Sequence, residues 1–521
     1  MKTSVTFQTD DRGLQKLYHE AEAKEQRNVR YFGNRKVLVE GGGYNNIWLE
    51  TQPMGGGMYA KRDMEAALNN QLLFMEHQME NGRLPGMIVN HDGVLEPKYG
   101  WFQGFCFPDS ALSLYFWNGT DEAYLRKLYE TLKAIDAYWW AYRDSDGDGC
   151  LETWCICDTG EDHCTRFFDA PWFWEGEKPP TGVARLPYES MDYMAYSYDA
   201  RRTLAAISGI LDNGEAREWE QRAELVRKRL REYLWIEEKS ACYDRDCENQ
   251  VMDILLHNNI RVMHHGAFDQ EMADRFIEVH MLNPQEFWTP MPLPSIAVND
   301  PFFRNNEDND WSGQPEGLTY QRAIRAMENY GHLAELTMIG KRLMEAAGEE
   351  GVFTQQYEPY TGRPSTPQKS DYGPTILAIL EYIERFYGVH VDKTELFWGC
   401  LPGGGSSRQY RQEWGEHAYV LTHEGDHNTA CRDGIELFTV SDGVRVVTDQ
   451  EGQIKRIVGI DVEPHTVTVR TVQGGTASAV IGPNETYIWK DGSLSLDRKV
   501  PFTADGELLR EWRRPLPRQN G

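Results

Sequence analysis

Two short stretches hold the side chains best placed to do chemistry. Pro187-Tyr188-Glu189-Ser190-Met191-Asp192 sets two carboxyl groups just ahead of a helical run. Its aromatic company, Tyr188, Tyr193 and the upstream Trp172-Phe173-Trp174, would strip water from a carboxyl and raise its pKa, as a general acid requires. The plainer use of these residues is structural: Glu189 or Ser190 can cap the helix, and Asp192 can settle its first turn against the dipole. The second stretch, Gln355-Gln356-Tyr357-Glu358-Pro359-Tyr360-Thr361-Gly362, sets two amides beside one carboxylate. Hydrolysis of a glycosidic bond needs two carboxyl groups on opposite faces of one sugar ring. An amide cannot take a proton from water at neutral pH. A pairing of Asp192 with position 355 would therefore lack one of its two acids.

The elements that must carry these residues change character along the chain. From residue 10 to 388 apolar residues recur at three and four, the helical period. Met64–Glu80, Glu122–Tyr142, Met191–Leu211, Glu215–Leu234, Gln270–Met281, Leu318–Met327, Tyr330–Ala347 and Tyr372–Phe386 are the clearest runs. Long loops rich in Gly, Pro and Trp separate them, at Gly41–Met58, Gly82–Phe107 and Phe287–Gly317. Loops of such length usually carry function, and their recurrence after alternate helices suggests a toroid of helical hairpins with a site at one end. Gly55-Gly56-Gly57 lacks phosphate-loop spacing and reads as a flexible turn. After residue 395 the runs are short, β-branched and separated by turn pairs such as Asp442-Gly443 and Glu451-Gly452, the mark of an antiparallel β domain. The expected division is a mainly α catalytic domain over 1–394 and a smaller antiparallel, sandwich-like β domain over 395–521. The run Phe397-Trp398-Gly399 at the boundary predicts a packed joint.

The stretch around Asp192 resembles the Glu-Ser-Gly-x-Asp element of trehalases, glycoside hydrolase family 37, and of the related family 63. Four further segments fall around it in the families' order. Tyr44-Asn45-Asn46-Ile47-Trp48-Leu49-Glu50 is similar to their Tyr/Phe-x-x-x-Trp-Asp start, and Asn81-Gly82-Arg83-Leu84-Pro85-Gly86 to their Gly-x-Ile-Pro-Asn loop. Asp310-Trp311-Ser312-Gly313-Gln314 resembles their Trp-x-Gly-Pro, and the stretch ending at Gly362 their Glu-x-Tyr-Asn/Asp-Pro-x-Thr-Gly. The likeness runs from residue 40 to residue 388. It implies an (α/α)6 toroid that hydrolyses α-linked glucosides with inversion, the two acids about 6.5–9.5 Å apart, with no metal or organic cofactor. Carried over by position, Asp192 is the acid and Gln355 stands where the base should be. Three explanations stay open: an engineered Glu-to-Gln change that traps a bound sugar, a natural enzyme with a different base in Glu358 or Glu316, or a protein that binds sugar without cleaving it. The resemblance also implies sugar contacts from Trp48, Glu50, Gln52, Gln103, Tyr188, Glu189, Trp311, Gly313, Gln314 and Tyr372. Glu50 replaces an Asp and Gln314 a Pro, departures that leave the sugar undecided.

Bulk properties bound the rest. The chain has 521 residues, 40% hydrophobic, with sixteen Trp and twenty-six Tyr, enough for a large aromatic core or for stacking on sugar rings. A net charge of −27 repels nucleic acid. No apolar run approaches the roughly 20 residues of a membrane span, and the amino terminus lacks a signal-peptide core. These features predict a cytoplasmic protein and leave room for a homo-oligomer; a small carbohydrate partner is what the resemblance implies. Nine cysteines, an odd number, fit reduced thiols; Cys150, Cys155, Cys157 and Cys164 lack the paired spacing of a closed zinc site. Asp144, Asp146 and Asp148 resemble a calcium loop, but Cys155 stands where its bidentate carboxylate belongs. An epimerase on the same scaffold would need a histidine pair, for which His264-His265 is the one adjacent candidate.

Overall fold

The computed structural model describes residues 1–490 and 492–517. Its helical part runs α1 (Arg12–Arg27), α2 (Gln52–Tyr59), α3 (Met64–Glu76), α4 (Pro108–Trp117), α5 (Glu122–Tyr142), α6 (Met191–Leu211) and α7 (Ala216–Tyr233). It continues with α8 (Asn258–His264), α9 (Gln270–Phe276, prolonged by a π turn to Met281), α10 (Gly317–Tyr330), α11 (Leu333–Ala347) and α12 (Gly373–Tyr387). The even-numbered helices touch one another in succession, and α12 returns to α2. They therefore form a closed inner ring, with the odd-numbered helices packed outside it.

Burial follows that arrangement. Every residue of α12 is buried, as a ring helix covered on all sides demands. The outer helix α7 buries only Trp219, Ala223, Val226 and Leu230, a single stripe at helical spacing. Outer helices α1, α3, α5 and α9 each start on an Asp side chain that accepts a backbone N–H of the first turn, offsetting part of the unpaired end. Connections into the outer helices are short, such as 60–63 and 212–215, whereas those into ring helices are long: 77–107, 143–190, 282–316 and 348–372. The long loops consequently gather where the ring helices begin.

The Gly55-Gly56-Gly57 run is not a turn. It lies within α2, where a Cβ at Gly56 would stand 2.8 Å from the Asn70 Cβ and one at Gly55 3.1 Å from Leu377. The missing side chains let α2 approach α3 and α12.

The β part is two antiparallel sheets of seven and six strands. Its boundary differs from the expected 395. Strand Val389–Asp392 already belongs to the six-stranded sheet, and the amino-terminal strand Thr3–Thr9 forms an edge of the other, pairing with Ser407–Trp414 (Phe7 opposite Tyr410). Contacts distant in sequence decided this, so local pattern could not show it. The joint is packed as expected: Trp398 is fully buried, and a Cβ at Gly399 would meet the Arg385 carbonyl at 2.0 Å. Arg445 pairs with Glu328 at 2.7 Å across it. A last helix, α13 (Gly506–Trp512), returns to α11, where Trp512 Nε1 donates to the Met338 carbonyl at 3.1 Å. Among the described residues no helix is long and apolar enough to cross a membrane.

Candidate active site

Three of the long loops meet at one side chain, Asn309. Its Nδ2 donates to Asp162 Oδ2 at 2.7 Å, and its Oδ1 accepts from Gln355 Nε2 at 2.7 Å and from Trp311 Nε1 at 3.2 Å. Tyr44 OH donates to Gln355 Oε1 at 3.1 Å, which fixes the amide's orientation. The backbone holds the same loops together: Gly317 N donates to the Gln355 carbonyl at 2.7 Å and Trp311 N to the Asp162 carbonyl at 3.0 Å. Residues 44, 162, 309, 311 and 355 thus share one place. A recess of about 10 Å³ lies against Gln355, lined by Gly42, Asn309, Thr366 and Tyr372 among others; that is room for about one water.

Asp162 was missed from sequence, although its signal was present. The order acidic–hydroxyl–Gly–x–Asp, sought at 189–192, occurs intact in Asp158-Thr159-Gly160-Glu161-Asp162. The bend is built around Asp158, whose carboxylate accepts from Trp154 N at 2.7 Å and pairs with Arg143 at 2.5 Å. Gly160 follows with φ +70°, and a Cβ there would stand 2.1 Å from Glu50 Oε2 and 2.6 Å from the Gln103 carbonyl. Only glycine passes so close to Glu50. Asp162 then emerges with Oδ1 buried and unpartnered. Burial raises its pKa, against a lowering by Asn309.

Asp192 does not fit the role expected of it. It is fully buried, its Oδ2 accepts from Arg166 at 2.9 Å and Asn258 at 3.0 Å, and its Oδ1 meets Asn258 at 3.0 Å and Arg261 at 3.3 Å. Two guanidinium groups and an amide occupy both of its oxygens, so neither faces a substrate. Arg166 also pairs with Asp244 at 2.9 Å and with Glu161, so Asp192 anchors the base of the Asp162 loop. Ser190 caps α6, as the structural reading had it. Tyr188 OH donates to the Phe167 carbonyl at 3.1 Å, and Glu189 lies beside Glu152 and Asp148 with its pKa raised to about 9, chiefly by burial. Neither shares the Asn309 cluster.

The remaining expected residues divide similarly. Glu358 is spent on its own turn, accepting from Tyr360 N at 2.9 Å and Thr361 N at 2.7 Å, and from Asn305 at 2.8 Å. It is not available as a base. Glu316 is the opposite case. It is wholly buried, and both of its oxygens lack a hydrogen-bond partner; the nearby Gln356 amide donates instead to the Asp310 carbonyl at 3.0 Å. Burial raises its pKa well above the carboxylate range, against a lowering by the neighbouring Gln356 amide and with the negative charges of Asp162, Asp310 and Glu50 adding to the rise. The antiparallel bridge between Glu316 and Gln356 sets it beside the Gln355 backbone.

Glu50 pairs with Arg322 at 2.6 Å, and burial raises its pKa to about 7 against the pull of Arg322 and Arg261. Trp48 keeps a buried Nε1 without a partner. Tyr372 stacks edge-on against Tyr44 at 6.4 Å and donates to Glu40 at 3.0 Å. Gln52 accepts from Trp48 N at 2.7 Å, and Gln103 reaches Cys157 Sγ at 3.3 Å; both brace loops. Gln314 binds Asn305 at 2.9 Å, and at Gly313 a Cβ would strike the Arg304 carbonyl at 2.0 Å. The carboxylates of Asp144, Asp146 and Asp148 do converge, but Asp148 is already paired with Arg229 at 2.7 Å.

Residues 57–374, more than half of the chain, match the family model described as the mannosylglycerate hydrolase MGH1-like glycoside hydrolase domain. The chain belongs to that family. Among solved structures, the family 63 mannosylglycerate hydrolase from Thermus thermophilus, in complex with glucose, is 17% identical. It superposes with a TM-score of 0.57 over 70% of this chain and 99% of that one. The neutral trehalase of Saccharomyces cerevisiae is 12% identical, TM-score 0.51, over 70% and 79%. A sialidase is 13% identical, TM-score 0.65, over 86% of this chain and 41% of its own. At these identities the likeness is one of fold. Among curated proteins none matches the sequence. The family assignment makes the protein a glycoside hydrolase.

Proposed function

We propose that this glycoside hydrolase cleaves a small α-linked glucoside, a disaccharide or a glucosyl conjugate, with inversion, and that its helical ring is an (α/α)6 toroid. Asp162 is the acid. Burial shifts its pKa upward, the direction a general acid needs, and the unpartnered Oδ1 is free to face the departing oxygen. Gln355 and Asn309 hold the attacking water, which the recess beside them is large enough to seat, and the loops part to admit the sugar. Gln355 cannot deprotonate this water, so the base is Glu316, whose two oxygens have no other employment. The observation that carries the reading is the single Asn309 amide joining Asp162 to Gln355. Glu316 must be ionised while Asp162 is still protonated, so turnover should pass through a maximum with pH.

A second reading has one observation in its favour, the amide at 355 itself. There the site binds sugar and its catalytic base has been replaced. A screen against trehalose, glucosylglycerate and α-linked disaccharides, with the anomer read by NMR, separates the two. Glu316→Gln abolishing turnover while Gln355→Glu changes it little supports the first; a large gain from Gln355→Glu with no effect of Glu316→Gln supports the second. Release of the α-anomer first would sink inversion in either case.

A further inference from the structure

Away from this cluster, Cys106, His264 and His265 bring a thiol and two imidazoles together in the interior. One ligating atom of each lies within 4.8 Å of the others, and all three residues are buried. We propose that they bind a single zinc ion, with water as the fourth ligand.

The tautomers are already set for it. His265 Nδ1 bonds Asp199 Oδ2 at 2.8 Å, and His264 Nδ1 bonds the Arg322 carbonyl at 3.1 Å. Each Nδ1 thus carries the proton toward an oxygen acceptor, leaving Nε2 with its lone pair; metal-binding histidines are usually oriented in this way by carboxylate or carbonyl partners. His265 Nε2 is buried and has no hydrogen-bond partner. The two ring centroids lie 5.0 Å apart and at 87°. Two imidazoles on one tetrahedral ion, with Zn–N of about 2.0–2.1 Å, stand about 5 Å apart between centres.

The charges are compatible. Arg325 is paired with Asp199 and Asp109, and Arg322 with Glu50, so the basic neighbours are offset. The Arg322 guanidinium also lies beside the Cys106 thiol. A route inward exists as well: His264 lines a cavity of about 470 Å³ between the ring helices and the β sheets, bordered by Arg325, Glu328, Lys393 and Arg445. Two imidazoles and a thiolate suit zinc, as a three-ligand site with an open position. The ion would tie the loop ahead of α4 to the end of α8.

The test uses the full-length protein, stripped with a chelator and titrated with Zn2+ and, as a spectroscopic probe, Co2+. The expected result is one ion per chain, a higher Tm with zinc, and a thiolate-to-cobalt charge-transfer band. Cys106→Ser should abolish that band, and His265→Gln should weaken binding at least tenfold. Wild-type protein that takes up no stoichiometric zinc, or whose cobalt form lacks the thiolate band, overturns the proposal whether or not the variants fold. So does cobalt binding that survives both substitutions, since it would place the ion elsewhere.

Discussion

Replacing Asp162 and Asp192 one at a time by Asn separates catalysis from support. Asp162→Asn keeps the shape and removes the transferable proton. General acid catalysis is worth about 10²–10⁴-fold, so kcat on an α-linked disaccharide should fall by that factor, about 3–5 kcal/mol of barrier at 1.36 kcal/mol per decade. The fold should barely notice, because among the described residues Asp162 makes no ion pair and its carboxylate accepts one side-chain hydrogen bond, from Asn309. Asp192→Asn does the reverse. It removes a charge that meets Arg166 at 2.9 Å and Arg261 at 3.3 Å in a fully buried setting. Breaking one side of such a cluster costs about 3–5 kcal/mol, less here because Arg166 keeps Glu161 and Asp244. A Tm drop of about 5 °C follows for a chain of this size. The assay is glucose release at matched temperature, with Tm by calorimetry, and α-glucosyl fluoride as control. Fluoride leaves without a proton, so Asp162→Asn should keep most of its activity on that substrate. An Asp162→Asn protein with full turnover of the disaccharide, or an Asp192→Asn protein that folds normally and is dead, refutes the assignment.

Four further outcomes follow from the structure. Glu189 has its pKa raised to about 9 from an unfolded value near 4.3. The folded state therefore holds a proton that the unfolded state gives up, and stability is lost as pH rises between those values; Glu189→Gln should recover up to about 4 kcal/mol at pH 7 and flatten the dependence of Tm on pH, and a steeper slope in the variant would contradict this. Gly56→Ala should destabilise by about 1–3 kcal/mol, since its Cβ would press on Asn70, which holds both backbone groups of Leu38. Gly209→Ala, with open space around it in α6, should instead stabilise by about 0.5–1 kcal/mol, and denaturant midpoints compare the two. Deleting residues 1–9 exposes the edge of strand Ser407–Trp414 and should promote aggregation, visible by light scattering before any loss of helix signal.

Local pattern carried far in this chain. Glu122–Tyr142 and Met191–Leu211 are helices to the residue, because a three-and-four period bounded by caps is complete within the segment. The β-branched runs after residue 435 paired as antiparallel strands for the same reason. Gln355 and Trp311 meet through Asn309 from two different loops, so their company belongs to the tertiary structure. What sequence could not decide was which acid faces them. Asp192, in an aromatic segment just ahead of a helix, reads as the donor, whereas Asp162 was passed over. Only the approach of Arg166, Arg261 and Asn258 to one, and of Asn309 alone to the other, sets them apart. Electrostatic environment is the sum of groups brought together from distant parts of the chain, and it decides whether a carboxyl keeps a proton to give. For the same reason the amino-terminal strand's place in the far sheet and the meeting of Cys106 with His264 and His265 belong to the tertiary structure, since only folding closes those distances.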